Sequence, residues 1–135
     1  MKKILFVCVE NSCRSQMAEA LGKIHGKGLI ECYSSGSRPS GIVNPKAIAA
    51  LRYLDYDLSA HVSKSLDEIP QIEYDYAITM GCGDECPLVR AKNREDWQIP
   101  DPKHMDEEQF NGVRDTIRDQ ILELIKRCKA ADDAA

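Results

Sequence analysis

A short apolar run, Ile4-Leu5-Phe6-Val7, ends on Cys8, and Arg14 and Ser15 follow at the head of a helical pattern. No other stretch constrains the chain as tightly. Four apolar residues without alternation read as a strand buried on both faces, which belongs in a parallel sheet. Met17, Ala18, Leu21 and Ile24 then recur at helical spacing. A loop that leaves such a strand and enters a helix aims its backbone N–H groups at one point, and the helix dipole adds partial positive charge there. Arg14 adds a full charge and a planar fork of donors. The hollow walled by Val9, Glu10, Asn11, Ser12, Cys13, Arg14 and Ser15 therefore suits a tetrahedral oxyanion, with the Cys8 sulfur beneath it. The same field favours thiolate over thiol. Ser15 can cap the helix and bond to the sulfur. In this setting Cys8 reads as a nucleophile and not as a packed strand cysteine.

The rest of the chain alternates strands and helices. Leu29–Tyr33 reads as a second strand and Ser34–Gly41 as a polar turn region. Asn44-Pro45 caps a helix whose stripe is Ala47, Ile48, Leu51 and Leu54. Ser63–Ile69 reads as a short helix, Tyr76–Met80 as a third strand and Glu95-Asp96-Trp97 as a short edge strand. Asp106 precedes a last helix with Phe110, Val113, Ile117, Ile121, Leu124 and Cys128 on its buried face. Such alternation predicts α/β architecture: three layers, α/β/α, around a four-stranded parallel sheet. In the order 2-1-3-4 strands one and three are neighbours about 4.8 Å apart. Cys8 and Cys82, which follow those strands, then share one edge of the sheet. Residues 1–130 are expected to form a single domain, with 131–135 as a frayed tail.

Lys and Arg number 18 against 22 Asp and Glu, a balance that argues against nucleic acid or an anionic membrane as partner. The apolar run after Met1-Lys2-Lys3 is too short for a signal peptide, and no stretch approaches transmembrane length. A reducing cytoplasm is expected, so the six cysteines read as catalytic, redox or inert and not as structural bridges. Cys82 and Cys86 form C-x3-C. Half a zinc site is one reading, but no second pair of ligands accompanies it and His25, His61 and His104 are scattered. No metal is expected. A redox pair fits better beside the nucleophile, and Gly81 and Gly83 give the segment backbone freedom to rearrange between redox states.

Cys8-Val-Glu-Asn-Ser-Cys-Arg-Ser resembles the anion loop of the low-molecular-weight protein tyrosine phosphatases and of the arsenate reductases that share their fold. The run Asn11 to Glu19 is most similar to the reductase branch, and the resemblance extends from Lys3 to about Ile125. It implies a reductase that binds arsenate, or phosphate as its mimic, and passes electrons from Cys8 through Cys82 and Cys86 to an external thiol reductant. Thioredoxin suits an intramolecular dithiol, glutaredoxin is the other candidate, and no bound cofactor or second subunit is implied. Asp101, before Pro102, becomes the general acid. Phosphatases of the family usually place tyrosine after Asp-Pro, where this chain has Lys103 and His104. Relatives often carry glycine at Glu10, which is expected to face solvent, and Cys13 is expected to point into packing. Some relatives bind potassium with residues matching Asn11, Glu19 and Ser34 plus an aspartate. Lys64 stands at that last position, so an ammonium is expected to take the ion's place. Phosphoester hydrolysis by Cys8, Arg14 and Asp101 is the alternative activity, but gives Cys82 and Cys86 no task. A non-enzymatic thiol sensor or metal module would leave the anion loop without purpose.

Overall fold

The computed structural model describes residues 1–81 and 89–134. Strands β1 (Lys2–Cys8), β2 (Ile30–Gly36), β3 (Tyr74–Thr79) and β4 (Ala91–Asp96) form one sheet, all parallel, in the order β2-β1-β3-β4. Both the order and the direction match the expectation from sequence. Helices α1 (Arg14–His25), α2 (Pro45–Leu51) and α3 (Glu107–Ala134) connect and cover it, with single 3-10 turns at Arg52–Leu54, Leu58–Ala60 and Leu66–Glu68.

Side chains of β1 alternate between two cores. Ile4, Phe6 and Cys8 face a core shared with Met17 and Leu21 of α1, Leu51 of α2, and Phe110, Ile117 and Ile121 of α3. Leu5 and Val7 face the opposite side with Ile69 and Tyr74, covered among the described residues by Leu66, Ile72 and Val89. Burial of each such side chain is worth about 1.5–3 kcal/mol, so β1, apolar on both faces, is held at the centre of the sheet. Asn44 caps α2 by accepting from Lys46 N at 2.9 Å, with Pro45 at the first helical position. Asp106 accepts from Gln109 N at 2.8 Å at the head of α3.

Several boundaries differ from the sequence reading. β2 runs on through Ser34, Ser35 and Gly36, which pair with Phe6, Val7 and Cys8. Small polar residues remain in a strand here because the pairing satisfies their backbone. Ser63–Ile69 contains one 3-10 turn, closed by a Ser65–Glu68 capping box, in place of a helix. Trp97 falls after β4, its ring 5.8 Å from that of Phe6. Residues 131–134, read as a frayed tail, continue α3. Cys82 and Cys86, with the rest of the Gly83–Pro87 stretch, lie outside the described residues. Among the described residues no helix is long and apolar enough to cross a membrane.

Helix α1 packs tightly on β2 at Gly22, where a Cβ would lie 2.5 Å from Cys32 Sγ. Overpacking of this kind costs typically about 1–3 kcal/mol, against roughly 0.5–1 kcal/mol gained in helix propensity. Gly22→Ala is therefore expected to lower the urea midpoint, and adding Cys32→Ala to recover most of the loss. A single variant as stable as the wild type would contradict this packing.

Candidate active site

The loop between β1 and α1 is held from outside by its carbonyls. Cys8 O accepts from Ser37 N (3.3 Å), Val9 O from Arg38 N (2.8 Å), Glu10 O from Ser40 N (3.0 Å) and Ser12 O from Asn44 N (3.1 Å). Asn11 O accepts from Gln16 Nε2 at 3.2 Å. No cis peptide occurs among the described residues. In a trans peptide the next N–H points opposite the carbonyl. The N–H groups of Val9 to Cys13 are thus turned away from these donors, towards a cavity of about 160 Å³ lined by Cys8, Val9, Glu10, Ser12, Cys13, Arg14 and Asp101. That volume suits one tetrahedral oxyanion. Gly36 permits the arrangement, since a Cβ there would sit 2.6 Å from Val9 O.

Beneath the loop a hydrogen-bonded chain ends on the Cys8 sulfur, and donor chemistry fixes its direction. Asn11 Oδ1 must face Lys64 N, which can only donate (2.9 Å). Asn11 Nδ2 therefore donates to Ser15 Oγ (2.8 Å), and the Ser15 hydroxyl donates to Cys8 Sγ (2.8 Å). Gln16 Nε2 donates to Val62 O (3.0 Å) and to Asn11 Oδ1 (2.9 Å). Gln16 Oε1 then accepts from His61 Nδ1 at 2.9 Å, which leaves His61 Nε2 to accept from the Tyr56 hydroxyl at 2.5 Å. From Tyr56 through His61, Gln16, Asn11 and Ser15, one donor at each step points towards sulfur. Burial holds the His61 pKa below its ordinary value, only partly offset by the charge of Glu19, which keeps the ring neutral. Ser15 was expected both to cap α1 and to bond to sulfur. It does only the second: Cys13 is the cap residue, without a side-chain bond, and Ser15 lies in the first turn.

Arg14 ties three segments together. Its Nη1 donates to the carbonyls of Met80, at the end of β3, and of Ile99 (3.0 Å), ahead of Asp101. Nη2 lies 4.0 Å from Asp101 Oδ2. Gly81 has φ +78°, and a Cβ there would lie 3.2 Å from both Arg14 Nη1 and Ile99 O, so the position demands glycine on both counts. The Asp101 carboxylate is 57% exposed and accepts from Lys103 N at 3.0 Å. Glu10 does not simply face solvent. It lines the cavity, and its carboxylate pairs with Lys103 Nζ at 3.1 Å, which neutralises it.

Cys13 also lines the cavity, but burial, followed by the charges of Asp101 and Cys8, pushes its thiol up to about 11. It is a protonated wall residue and not a second nucleophile. Cys32 is pushed to about 12, again by burial first, and Cys128 is buried. Glu19 sits under the site. Burial would raise its pKa, but hydrogen bonds from Lys23 and Ser34 and the charge of Lys64, joined by that of His61 once it is protonated, outweigh it and hold the carboxyl below its ordinary value. Lys64 Nζ lies 3.6 Å from Glu19 Oε1 and 3.4 Å from Ser34 Oγ. With an ammonium already among these oxygens, the residues do not fit a potassium ion.

The structure thus brings together Cys8, Val9, Glu10, Ser12, Cys13, Arg14 and Asp101 around one cavity, with Asn11 and Ser15 beneath. Reading the sequence missed Gln16, Tyr56, His61 and the Ser37–Asn44 segment. His61 stands 45 positions from Gln16, and no local pattern marks either as part of one network.

Comparison with known proteins gives a consistent picture. The family described as low molecular weight phosphotyrosine protein phosphatase matches residues 3–133. A glutaredoxin arsenate reductase of Synechocystis sp. is 38% identical over 130 residues, covering 94% of this chain and 98% of that protein. An arsenate reductase of Staphylococcus aureus (strain N315) is 41% identical over 122 residues, covering 87% and 91%. The solved structure of an arsenate reductase in the phosphate-binding state matches with a TM-score of 0.86 at 38% identity, covering 95% of this chain and 99% of that one.

The buried Glu19–His61 pair sets a pH dependence of stability. His61 binds its proton less readily folded than unfolded, so stability is expected to fall as pH drops below about 6.5. The lowered Glu19 pKa contributes stability that is complete above about 4.5 and is lost as pH falls through the folded value. Urea midpoints measured from pH 7.5 to 3.5 should decline in these two stages, and Glu19→Gln should weaken the lower one, to which the lowered carboxyls of Glu95 and Asp57 also contribute. Constant stability down to pH 4 would contradict the burial of these groups.

Proposed function

The chain belongs to the low molecular weight phosphotyrosine protein phosphatase family, and from that premise we propose that it is an arsenate reductase. The observation that carries the reading is the oxyanion-sized cavity above Cys8, with Arg14 and Asp101 on its wall, in a chain about 40% identical to proteins named arsenate reductase. Arsenate enters as a phosphate mimic, held by the loop N–H groups and the free edge of Arg14. The Cys8 thiolate attacks arsenic while Asp101 protonates the departing hydroxyl, which leaves as water. The Cys82 thiolate then attacks the Cys8 sulfur. The electron pair of the arsenic–sulfur bond passes to arsenic, arsenite departs and a Cys8–Cys82 disulfide remains. Cys86 attacks Cys82, frees Cys8 and leaves a Cys82–Cys86 disulfide for an external dithiol. Phosphorus does not accept electrons in this way, so phosphate binds as a competitor.

The physiological role this implies is arsenic detoxification by a monomer in a reducing cytoplasm, without a bound cofactor. An intramolecular disulfide is the usual substrate of thioredoxin, whereas the name of the Synechocystis relative points to glutaredoxin. Weak phosphoester hydrolysis by Cys8, Arg14 and Asp101 is the second reading. The match to a phosphatase family favours it, and it leaves the two further cysteines idle.

Arsenite release in the presence of thioredoxin, thioredoxin reductase and NADPH, or of glutaredoxin and glutathione, tests the assignment beside hydrolysis of p-nitrophenyl phosphate. Cys8→Ser is expected to abolish both activities, because a neutral hydroxyl is a poor nucleophile there. Arg14→Lys is expected to be nearly as damaging as Arg14→Ala, since a point charge cannot reproduce the guanidinium fork. Cys82→Ser should separate the chemistries, sparing hydrolysis and stopping multiple-turnover reduction. Equal loss of both in that variant would remove the relay from the mechanism.

A further inference from the structure

One carboxylate behind the site gathers donors from both segments that hold Arg14. Asp96 ends β4, an edge strand of the sheet, and does not line the cavity. Its Oδ1 accepts from the Thr79 hydroxyl at 2.9 Å and from Gly81 N at 3.2 Å, and its Oδ2 accepts from Gln98 Nε2. The two carbonyls on Arg14 Nη1 lie beside these donors. Met80 O belongs to the same peptide as Gly81 N, and Ile99 follows Gln98. Oxygen and hydrogen leave a trans peptide on opposite sides. The Met80–Gly81 peptide is therefore gripped from both, by Asp96 on its N–H and by Arg14 on its oxygen.

Gly81 does not fix that peptide by itself. Its φ of +78° suits glycine, but glycine adopts negative φ as readily, so no Cβ opposes a turn of the peptide the other way. Turned over, the peptide would aim an N–H at the guanidinium. Nη1 carries two hydrogens, and both go to Met80 O and Ile99 O, which leaves the donors of Nε and Nη2 for the cavity. We propose that Asp96 is a positioning residue for the oxyanion: by holding the Met80–Gly81 peptide and Gln98 it keeps both carbonyls on Nη1, and so keeps the remaining edge of Arg14 turned to the cavity. The proposal rests on the oxyanion-site reading above. By charge alone a carboxylate here is unfavourable, since it repels the anion. Removing its charge therefore favours an anion, whereas removing its grip disfavours one, and the two effects have opposite signs.

Alkylation of Cys8 by iodoacetate and by iodoacetamide tests this, with each rate followed by peptide mass mapping of the reduced protein at one neutral pH. Both reagents meet the same thiolate, so their rate ratio cancels its ionisation and reads the pull of the site on a carboxylate. Arg14→Ala should lower the ratio. Asp96→Ala should lower it roughly two- to tenfold, the range that one hydrogen bond spans, although it removes a negative charge. Asp96→Asn removes the same charge but keeps an oxygen for Thr79 and Gly81, and its ratio should lie at or above the wild-type value. In an Arg14→Ala background Asp96→Ala should lower the ratio no further. The variants should fold, since Asp96 is exposed at a sheet edge. An Asp96→Ala ratio that is not lowered, an Asp96→Asn ratio nearer to that of Asp96→Ala than to the wild type, or an equal loss in the Arg14→Ala background overturns the positioning role. A wild-type ratio no higher than that of Arg14→Ala overturns the oxyanion reading itself, and the proposal with it.

Discussion

The left-handed turn at Asn11 is the constraint on which the site depends. With φ of 50° the residue adopts a conformation that asparagine tolerates better than most others. Its side chain is fully buried and both of its polar atoms are bonded: Oδ1 takes two donors and Nδ2 serves Ser15. A buried amide stripped of such partners would cost about 1–3 kcal/mol for each unmade bond. The loop consequently has no cheap alternative shape, and its N–H groups stay aimed at the cavity without a ligand to organise them. Donors fixed in advance are what make such a site useful, since no reorganisation is required when charge arrives.

Arg14 extends that order from the loop to the sheet. The carbonyls of Met80 and Ile99 belong to segments that enter from different strands, and one guanidinium nitrogen holds both. The parallel sheet makes this possible by delivering the ends of β1, β3 and β4 to the same edge. Ligand sites beyond the carboxyl ends of parallel strands are the general outcome of this topology. Here the end of β1 carries the nucleophile, the end of β3 fastens the arginine and the loop after β4 brings Asp101.

How much of this is legible in the sequence follows from the range of the interactions. β1, α1 and the caps at Asn44 and Asp106 are specified by residues within a turn of one another, and they were read correctly. So was the strand order, because alternating elements leave few topologies. The extension of β2 through Ser34–Gly36 was missed because pairing with β1 decides it, and those residues alone have the composition of a turn. The Asn11–Gln16–His61–Tyr56 chain was missed for the same reason: its members become neighbours only when the loop after α2 folds back under the anion loop. Glu10 was read as a solvent-facing carboxylate because its counter-charge, Lys103, is 93 positions away.

The burial of Cys13, Cys32 and Cys128 has a consequence for an enzyme with the proposed product. Trivalent arsenic is a soft centre that bridges pairs of thiolates, so a protein that releases it is exposed to poisoning by its own turnover. Cys13 and Cys32 have thiols that stay protonated at neutral pH and are poor ligands, and Cys32 is in addition packed out of reach. Cys128 is shielded by packing. The core of this molecule thus doubles as armour, leaving arsenite few thiols to capture beyond those that the proposed reaction itself employs.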